Sequence, residues 1–161
     1  MKIYLGGPMF TAAEVQYNLA LAANLRSCSF QVYCPNENMS INDKTRTDLT
    51  GEMIYQADIV ELESSNIFLC QVAEDSGTMW EAGYMDCLST HVDPVRYLGC
   101  IGLATDIRLQ TLPNPQQVGV DNQAFYLNQF IVGGLKLSLG IYLTEEELLN
   151  KLNLLYKEHN G

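Results

Sequence analysis

Hydrophobic positions along the chain fall into two rhythms. Short apolar, β-branched runs recur at Lys2-Ile3-Tyr4-Leu5, Phe30-Gln31-Val32-Tyr33-Cys34, Asn66-Ile67-Phe68-Leu69-Cys70-Gln71-Val72, Val95 to Leu103 and Gly140 to Leu143, and they read as strands. Helical spacing fills the intervals. Thr11 is placed to cap a helix through Arg26 with Val15, Leu19, Ala22 and Ala23 as its apolar stripe. Further helices are predicted over Thr47 to Ser64, from an Asp75 or Ser76 cap to Leu88, and over Asn122 to Leu137. A last one opens at Thr144-Glu145-Glu146-Glu147, where Glu147 holds the reach-back position of a capping box. Gly6-Gly7-Pro8 turns the chain out of the first strand, and Pro35 stops the second. Strands alternating with helices predict an α/β fold: a three-layer αβα sandwich around a five-stranded parallel sheet with right-handed crossovers. With no repeat and no low-complexity tract, residues 1–161 are expected to form one domain.

In an open parallel sheet ligands gather at the carboxyl ends of the strands. That rim comprises Gly6 to Phe10, Pro35 to Met39, Ala73 to Glu81 and the segment after Leu103. Ala104 to Val120, with Pro113-Asn114-Pro115 and little periodicity, is predicted as a long loop of the kind that serves as a lid or binding segment. Charge narrows the ligand. The formal net charge is −10, and the nine Lys and Arg are spread singly, which argues against nucleic acid, anionic membranes and heavily phosphorylated ligands. The five cysteines form no C-x-x-C pair and are read as small buried hydrophobes in a reducing compartment. His91 and His159 stand away from them, so a Cys/His metal site or a cysteine nucleophile is not expected. Asn128, Gln129, Gly133, Gly134 and Lys136 interrupt the apolar stretch Phe125 to Leu143, which therefore does not read as a membrane span. Nor does the N-terminus read as a signal peptide, and the protein is expected in the cytoplasm.

The rim is rich in acids: Glu37, Asp75 and Glu81. Glu81 is the only charge of its helix before Asp86 and shares a face with Gly77, Thr78, Tyr84, Met85 and Leu88. It is either a solvated surface glutamate or a carboxylate set in an apolar face just past a strand end. Asp58, with Ile54 and Leu62 at helical spacing, is either a partly exposed helix acid or a second carboxyl turned to the same cleft. Tyr4 is either an inward-facing strand tyrosine or a hydroxyl that orients the nucleophile. Two carboxyls and a tyrosine across a cleft suggest glycosidic-bond chemistry: one attacks an anomeric carbon, a second group protonates the leaving group, and no metal or cofactor is needed.

Four segments carry a resemblance. Lys2-Ile-Tyr-Leu-Gly-Gly-Pro8 with Phe10, Tyr55-Gln-Ala-Asp58, Asp75-Ser-Gly-Thr-Met-Trp-Glu-Ala-Gly83 and Asn128-Gln-Phe-Ile-Val-Gly-Gly134 together resemble the nucleoside 2-deoxyribosyltransferase family, in order and over most of the chain. The resemblance implies that Glu81 is the nucleophile forming a covalent deoxyribosyl-enzyme, that Tyr4 holds it, and that Asp58 exchanges a proton with the departing base. It also implies that Asp75 binds sugar hydroxyls and that Asn128 reaches a neighbouring subunit's site in a homo-oligomer. Gly7, Phe10, Glu37 and Asn38 are similar to the substrate- and base-contacting wall. The expected substrates are a 2′-deoxynucleoside and a free nucleobase, joined by two displacements with net retention. Three departures stand out: Ala57 where many members have Asn, Glu37 where Asp is common, and a different C-terminal tail. Base preference stays open.

Two other readings compete. A hydrolase of 2′-deoxynucleoside 5′-monophosphates would need small hydroxyl residues and a positive field at the phosphate, whereas Asp75 stands at the sugar end and no Arg lies near Gly6-Gly7-Pro8. A non-catalytic nucleotide-binding or signalling module on a flavodoxin-like sheet would want an acceptor Asp ending the third strand and a Lys after the fifth. Cys70-Gln71 and Thr144-Glu145 stand there.

Overall fold

The computed structural model describes residues 1–43, 45–109, 116 and 127–160. Strands β1 (Lys2–Gly6), β2 (Gln31–Tyr33), β3 (Ile67–Gln71), β4 (Gly99–Leu103) and β5 (Ile141–Tyr142) join in the order β2-β1-β3-β4-β5. Every neighbouring pair is parallel. The parallel five-stranded sheet is as expected, and its order is flavodoxin-like, with the switch point between β1 and β3, where a crevice opens at the carboxyl ends.

The pleat sorts the core into two layers. Ile3, Leu5, Ile67, Leu69, Ile101 and Leu103 face α1 (Ala12–Ser27) and α6 (Glu145–Asn160), packing on Leu21, Leu25, Leu148 and Leu152. The alternate residues Tyr4, Phe68, Cys70 and Cys100 face α3 (Gly51–Glu63), α4 (Ser76–Cys87) and α5 (Gln129–Leu137), meeting Leu62, Met85 and Leu135. Tyr4 pairs in register with Tyr33 on one side and Phe68 on the other. Three aromatic side chains therefore stand abreast on the α3–α4 face, because β-sheet register leaves them no other direction.

Local chemistry sets the boundaries, and several differ from the periodicity. Thr11 and Glu14 form the capping box of α1: the Glu14 amide donates to Thr11 Oγ1 at 3.3 Å, and the Thr11 amide donates to Glu14 Oε2 at 2.8 Å. α3 starts at Gly51 rather than Thr47, because Thr50 is the cap that takes the Met53 amide, while Asp48 is held by Arg46 in the lead-in. β4 starts at Gly99 rather than Val95, since Asp93 Oδ1 accepts the Val95 and Arg96 amides and winds that segment into a turn. The rim segment after β2, where Pro35 stops the strand, holds a 3-10 turn, Pro35–Glu37, and the single-turn helix α2 (Met39–Asn42). α5 begins at Gln129, capped by Asn128; residues 122–126 of the longer predicted helix lie outside the described residues. So do 110–115 and 117–120 of the predicted long loop, whose described start forms a 3-10 turn over Ile107–Leu109. All five cysteines are free; Cys34, Cys70 and Cys100 are buried as expected, whereas Cys87 is exposed. Among the described residues no helix is long and apolar enough to cross a membrane.

Candidate active site

The site grows from β1. Tyr4 is fully buried, yet its hydroxyl must find a polar partner. It donates to Glu81 Oε1 at 2.5 Å. Glu81 is on the second turn of α4, whose start is fixed by Asp75: Asp75 Oδ2 accepts both the Thr78 amide, at 2.9 Å, and the Thr78 hydroxyl. Gly6 makes the room. A methyl group on it would stand 2.2 Å from the Phe68 ring and 3.1 Å from Glu81 Oε2.

The electrostatics follow from that burial. Loss of solvent pushes the Glu81 carboxyl up to about 7; the negative fields of Asp58 and Asp75 add to the rise, and the Tyr4 hydrogen bond opposes it. Burial likewise drives the Tyr4 hydroxyl far above its ordinary value, so it remains a protonated donor. Asp58 on α3 is raised as well, chiefly by burial, while the Tyr33 and Tyr4 hydroxyls pull it back down. Tyr33 donates to Asp58 Oδ1 at 3.1 Å and in turn accepts Asn38 Nδ2 at 2.9 Å.

Glu81 and Asp58 line one cleft of about 270 Å³ between α3 and α4, walled by Tyr55, Ile59, Leu62, Gly77 and Trp80. Two larger cavities hold neither carboxyl. One, about 520 Å³, lies among α1 and the ends of β3 and β4, beside Tyr17, Gln71 and Arg108. The other, about 510 Å³ and mainly apolar, separates α4 from α5. Size therefore does not mark the chemistry here; the shared carboxyls do.

Of the residues singled out from sequence, the structure joins Tyr4, Glu81 and Asp58, with Asn38 attached through Tyr33. Asp75 is near enough for its charge to reach Glu81, and its Oδ1 has no hydrogen-bond partner among the described residues. Gly7 packs on Gln71, whose side-chain amide donates to Asn18; Asn18 in turn donates to the Pro8 carbonyl at 3.0 Å and to Asn36 Oδ1 at 2.9 Å, tying the β1 and β2 exits together. Glu37, placed by the sequence in the base-contacting wall, has its carboxylate gripped instead by Arg26 through contacts of 2.8 and 2.5 Å, which hold it below the usual carboxylate range. Phe10 is 80% exposed, and Asn128 spends its side-chain oxygen on the Phe130 amide at 3.0 Å. Neither of these two lines the cleft. Sequence reasoning missed Tyr33, Asn18 and Gln71; the one available signal for Tyr33 was its strand phase, which matches Tyr4 across the sheet.

Two carboxyls with raised proton affinity in one pocket, one of them held by a buried hydroxyl, suit a nucleophile and a proton donor working together. Removal of the Tyr4 hydroxyl tests the link. Tyr4→Phe is expected to shift the acid limb of the pH–rate profile above about 7, because a bond that favours the ionised Glu81 is lost. At neutral pH the rate should fall roughly 10- to 100-fold; an unmoved limb would show that the bond does not tune Glu81.

A family model described as nucleoside 2-deoxyribosyltransferase matches residues 3–128. The chain is 29% identical to an uncharacterized protein of Ureaplasma parvum serovar 3, over 94% of each sequence. Among solved structures it is similar to a conserved protein from Enterococcus faecalis V583, at 30% identity and a TM-score of 0.77, covering 95% of this chain and 97% of that one. The fold is also that of a 2-deoxyribosyltransferase from Bacillus psychrosaccharolyticus (16% identity, TM-score 0.63, 93% and 91% covered) and of the Clostridium botulinum CMP N-glycosidase BcmB (15%, 0.53, 96% and 99%). The matched segment runs from the strand that carries Tyr4 to the cap of α5 and encloses Asp58, Asp75 and Glu81, and the chain belongs to the nucleoside 2-deoxyribosyltransferase family, whose members act on nucleosides.

Proposed function

We propose that the protein transfers 2-deoxyribose between nucleobases through a covalent deoxyribosyl ester on Glu81. The observation that carries this reading is the buried Tyr4–Glu81 hydrogen bond in a cleft shared with Asp58. Tyr4 occupies Oε1, which leaves Oε2, on the side cleared by Gly6, to attack C1′. As the C1′–N bond breaks, its electron pair goes to the base and the Asp58 proton moves to a base nitrogen or oxygen. An incoming base then gives its proton to the Asp58 carboxylate and attacks C1′, and the ester bond returns its electrons to Glu81.

Asp75 Oδ1 accepts a sugar hydroxyl in this scheme. Gly7, Phe10, Glu37 and Asn38 form the wall against the base, Glu37 on release from Arg26. Asn128, at the exposed start of α5, completes the site of a neighbouring copy in a homo-oligomer. Residues 1–161 act as one domain, in the cytoplasm, and the scheme requires no metal or cofactor.

Intact-mass analysis after mixing with a 2′-deoxynucleoside tests the reading. A deoxyribosyl adduct should appear and map to Glu81. Deoxyadenosine with free cytosine should yield deoxycytidine. Absence of both products, or release of deoxyribose 5-phosphate from a 2′-deoxynucleoside 5′-monophosphate in their place, overturns transfer.

A further inference from the structure

We propose that Tyr33 is a positioning residue for the acid Asp58, fixing which carboxyl oxygen exchanges a proton with the nucleobase. The inference rests on the transfer reading above, in which Tyr33 has no role.

The geometry leaves the Tyr33 hydroxyl one choice. Asn38 Nδ2 carries only hydrogens, so at 2.9 Å it must donate to the Tyr33 oxygen. The phenolic hydrogen is then directed to Asp58 Oδ1, at 3.1 Å. Asn38 is itself held: its side-chain oxygen accepts the Ser40 hydroxyl at 2.6 Å and caps α2. The Tyr33 ring is fixed in parallel fashion, 5.0 Å from the Tyr4 ring and in register with it across the sheet. An oxygen that receives a directed hydrogen is a poor place for a second one. The proton Asp58 delivers is thereby assigned to Oδ2, and the rotation of the carboxyl is pinned from the side of β2, away from the nucleophile. Tyr4 holds the other carboxyl from β1 and its hydroxyl also reaches Asp58, so two neighbouring strand tyrosines set the pair.

Leaving-group dependence separates this role from general support of the fold. Nucleobase departure needs a proton, whereas departure of 4-nitrophenolate from a 4-nitrophenyl 2-deoxyriboside does not. Tyr33→Phe keeps the ring and removes the donor. It should lower kcat for base exchange roughly 10- to 100-fold, change KM little, and leave 4-nitrophenolate release within about twofold of the unaltered protein. The pH profile adds a second readout. The groups facing Asp58 are Tyr4 of β1, Tyr33 of β2, Glu81 of α4 and Glu61 of α3. Loss of the Tyr33 hydrogen bond removes an interaction that favours ionised Asp58, so the base limb should move to higher pH. Equal losses on both substrates, or no loss on either, overturn the assignment. Failure of the transfer reading looks different: the unaltered protein would then form no adduct from the activated glycoside, and Glu81→Gln would leave its release unchanged.

Discussion

Glu81→Gln is expected to lower deoxyribosyl transfer by at least about 10³-fold and at the same time to make the protein more stable above neutral pH. Both effects have one cause. The carboxyl is shifted from its ordinary 4.5 to about 7 because folding removes it from water beside two other acids. The folded state therefore binds a proton more tightly than the unfolded chain. Stability associated with that proton is complete below about 4.5 and declines as pH rises, the loss being full once pH passes about 7. The shift corresponds to about 3 kcal/mol. Glutamine keeps an oxygen for the Tyr4 hydroxyl and carries no charge, so the gain should be near zero at pH 4, grow through the interval, and reach roughly 5–10 °C in Tm at pH 8. Thermal melts of the two proteins across pH 4 to 9 provide the check. A constant difference, or destabilisation at pH 8, would mean that the buried carboxylate is not under the strain described.

Gly6→Ala is expected to damage stability and activity together. The added carbon would stand 2.2 and 2.5 Å from two atoms of the Phe68 ring, and 3.1 Å from Glu81 Oε2. Phe68 has no solvent-facing edge to retreat toward: it is fully buried, 5.6 Å from the Tyr4 ring. Relief of the clash must displace the ring, the strand or Glu81. Overpacking of this kind costs about 3 kcal/mol, and a displacement of the nucleophile by an ångström costs about 10²-fold in rate. Chemical denaturation and transfer assays on the same preparation measure the two losses. Gly83→Ala serves as the control: a methyl group there meets nothing within 4 Å in the middle of α4, so it should be neutral or stabilising by up to about 1 kcal/mol. If both substitutions behave alike, the close approach at Gly6 is not what constrains that position.

Period-2 and period-3.6 patterning was sufficient to read the five strands, their parallel arrangement and the helices between them. It put Glu81 at the rim but left Tyr4, Asp58 and Glu81 each between a structural and a site role, and only the resemblance to a family named the three together. Where side chains capture backbone amides, patterning misled. Val95 is β-branched and reads as strand, yet Asp93 takes its amide into a turn. Thr47 and Thr50 are both competent caps, and only the Arg46–Asp48 pairing and the Met53 amide choose between them. One rim acid has a partner that patterning does not show. Arg26 reaches Glu37 from the end of α1, a partnership set by how helix and loop pack. Tyr33 was invisible for the opposite reason: a strand tyrosine looks like core, and nothing in one dimension reveals where its hydroxyl ends.

Under the proposed reading, the double employment of Asp75, as cap of α4 and as sugar ligand, limits how recognition at this rim diverges. Its side chain begins α4, so a replacement that keeps a side-chain cap on the first turn has to be Asn, Ser or Thr. Under the proposed reading, Asp75→Ser is also the exchange that removes a repulsive charge and supplies a small hydroxyl where a 5′-phosphate would lie. Helix initiation thus keeps small hydroxyl residues, the kind of group a phosphorylated substrate demands, among the few replacements that preserve the start of α4.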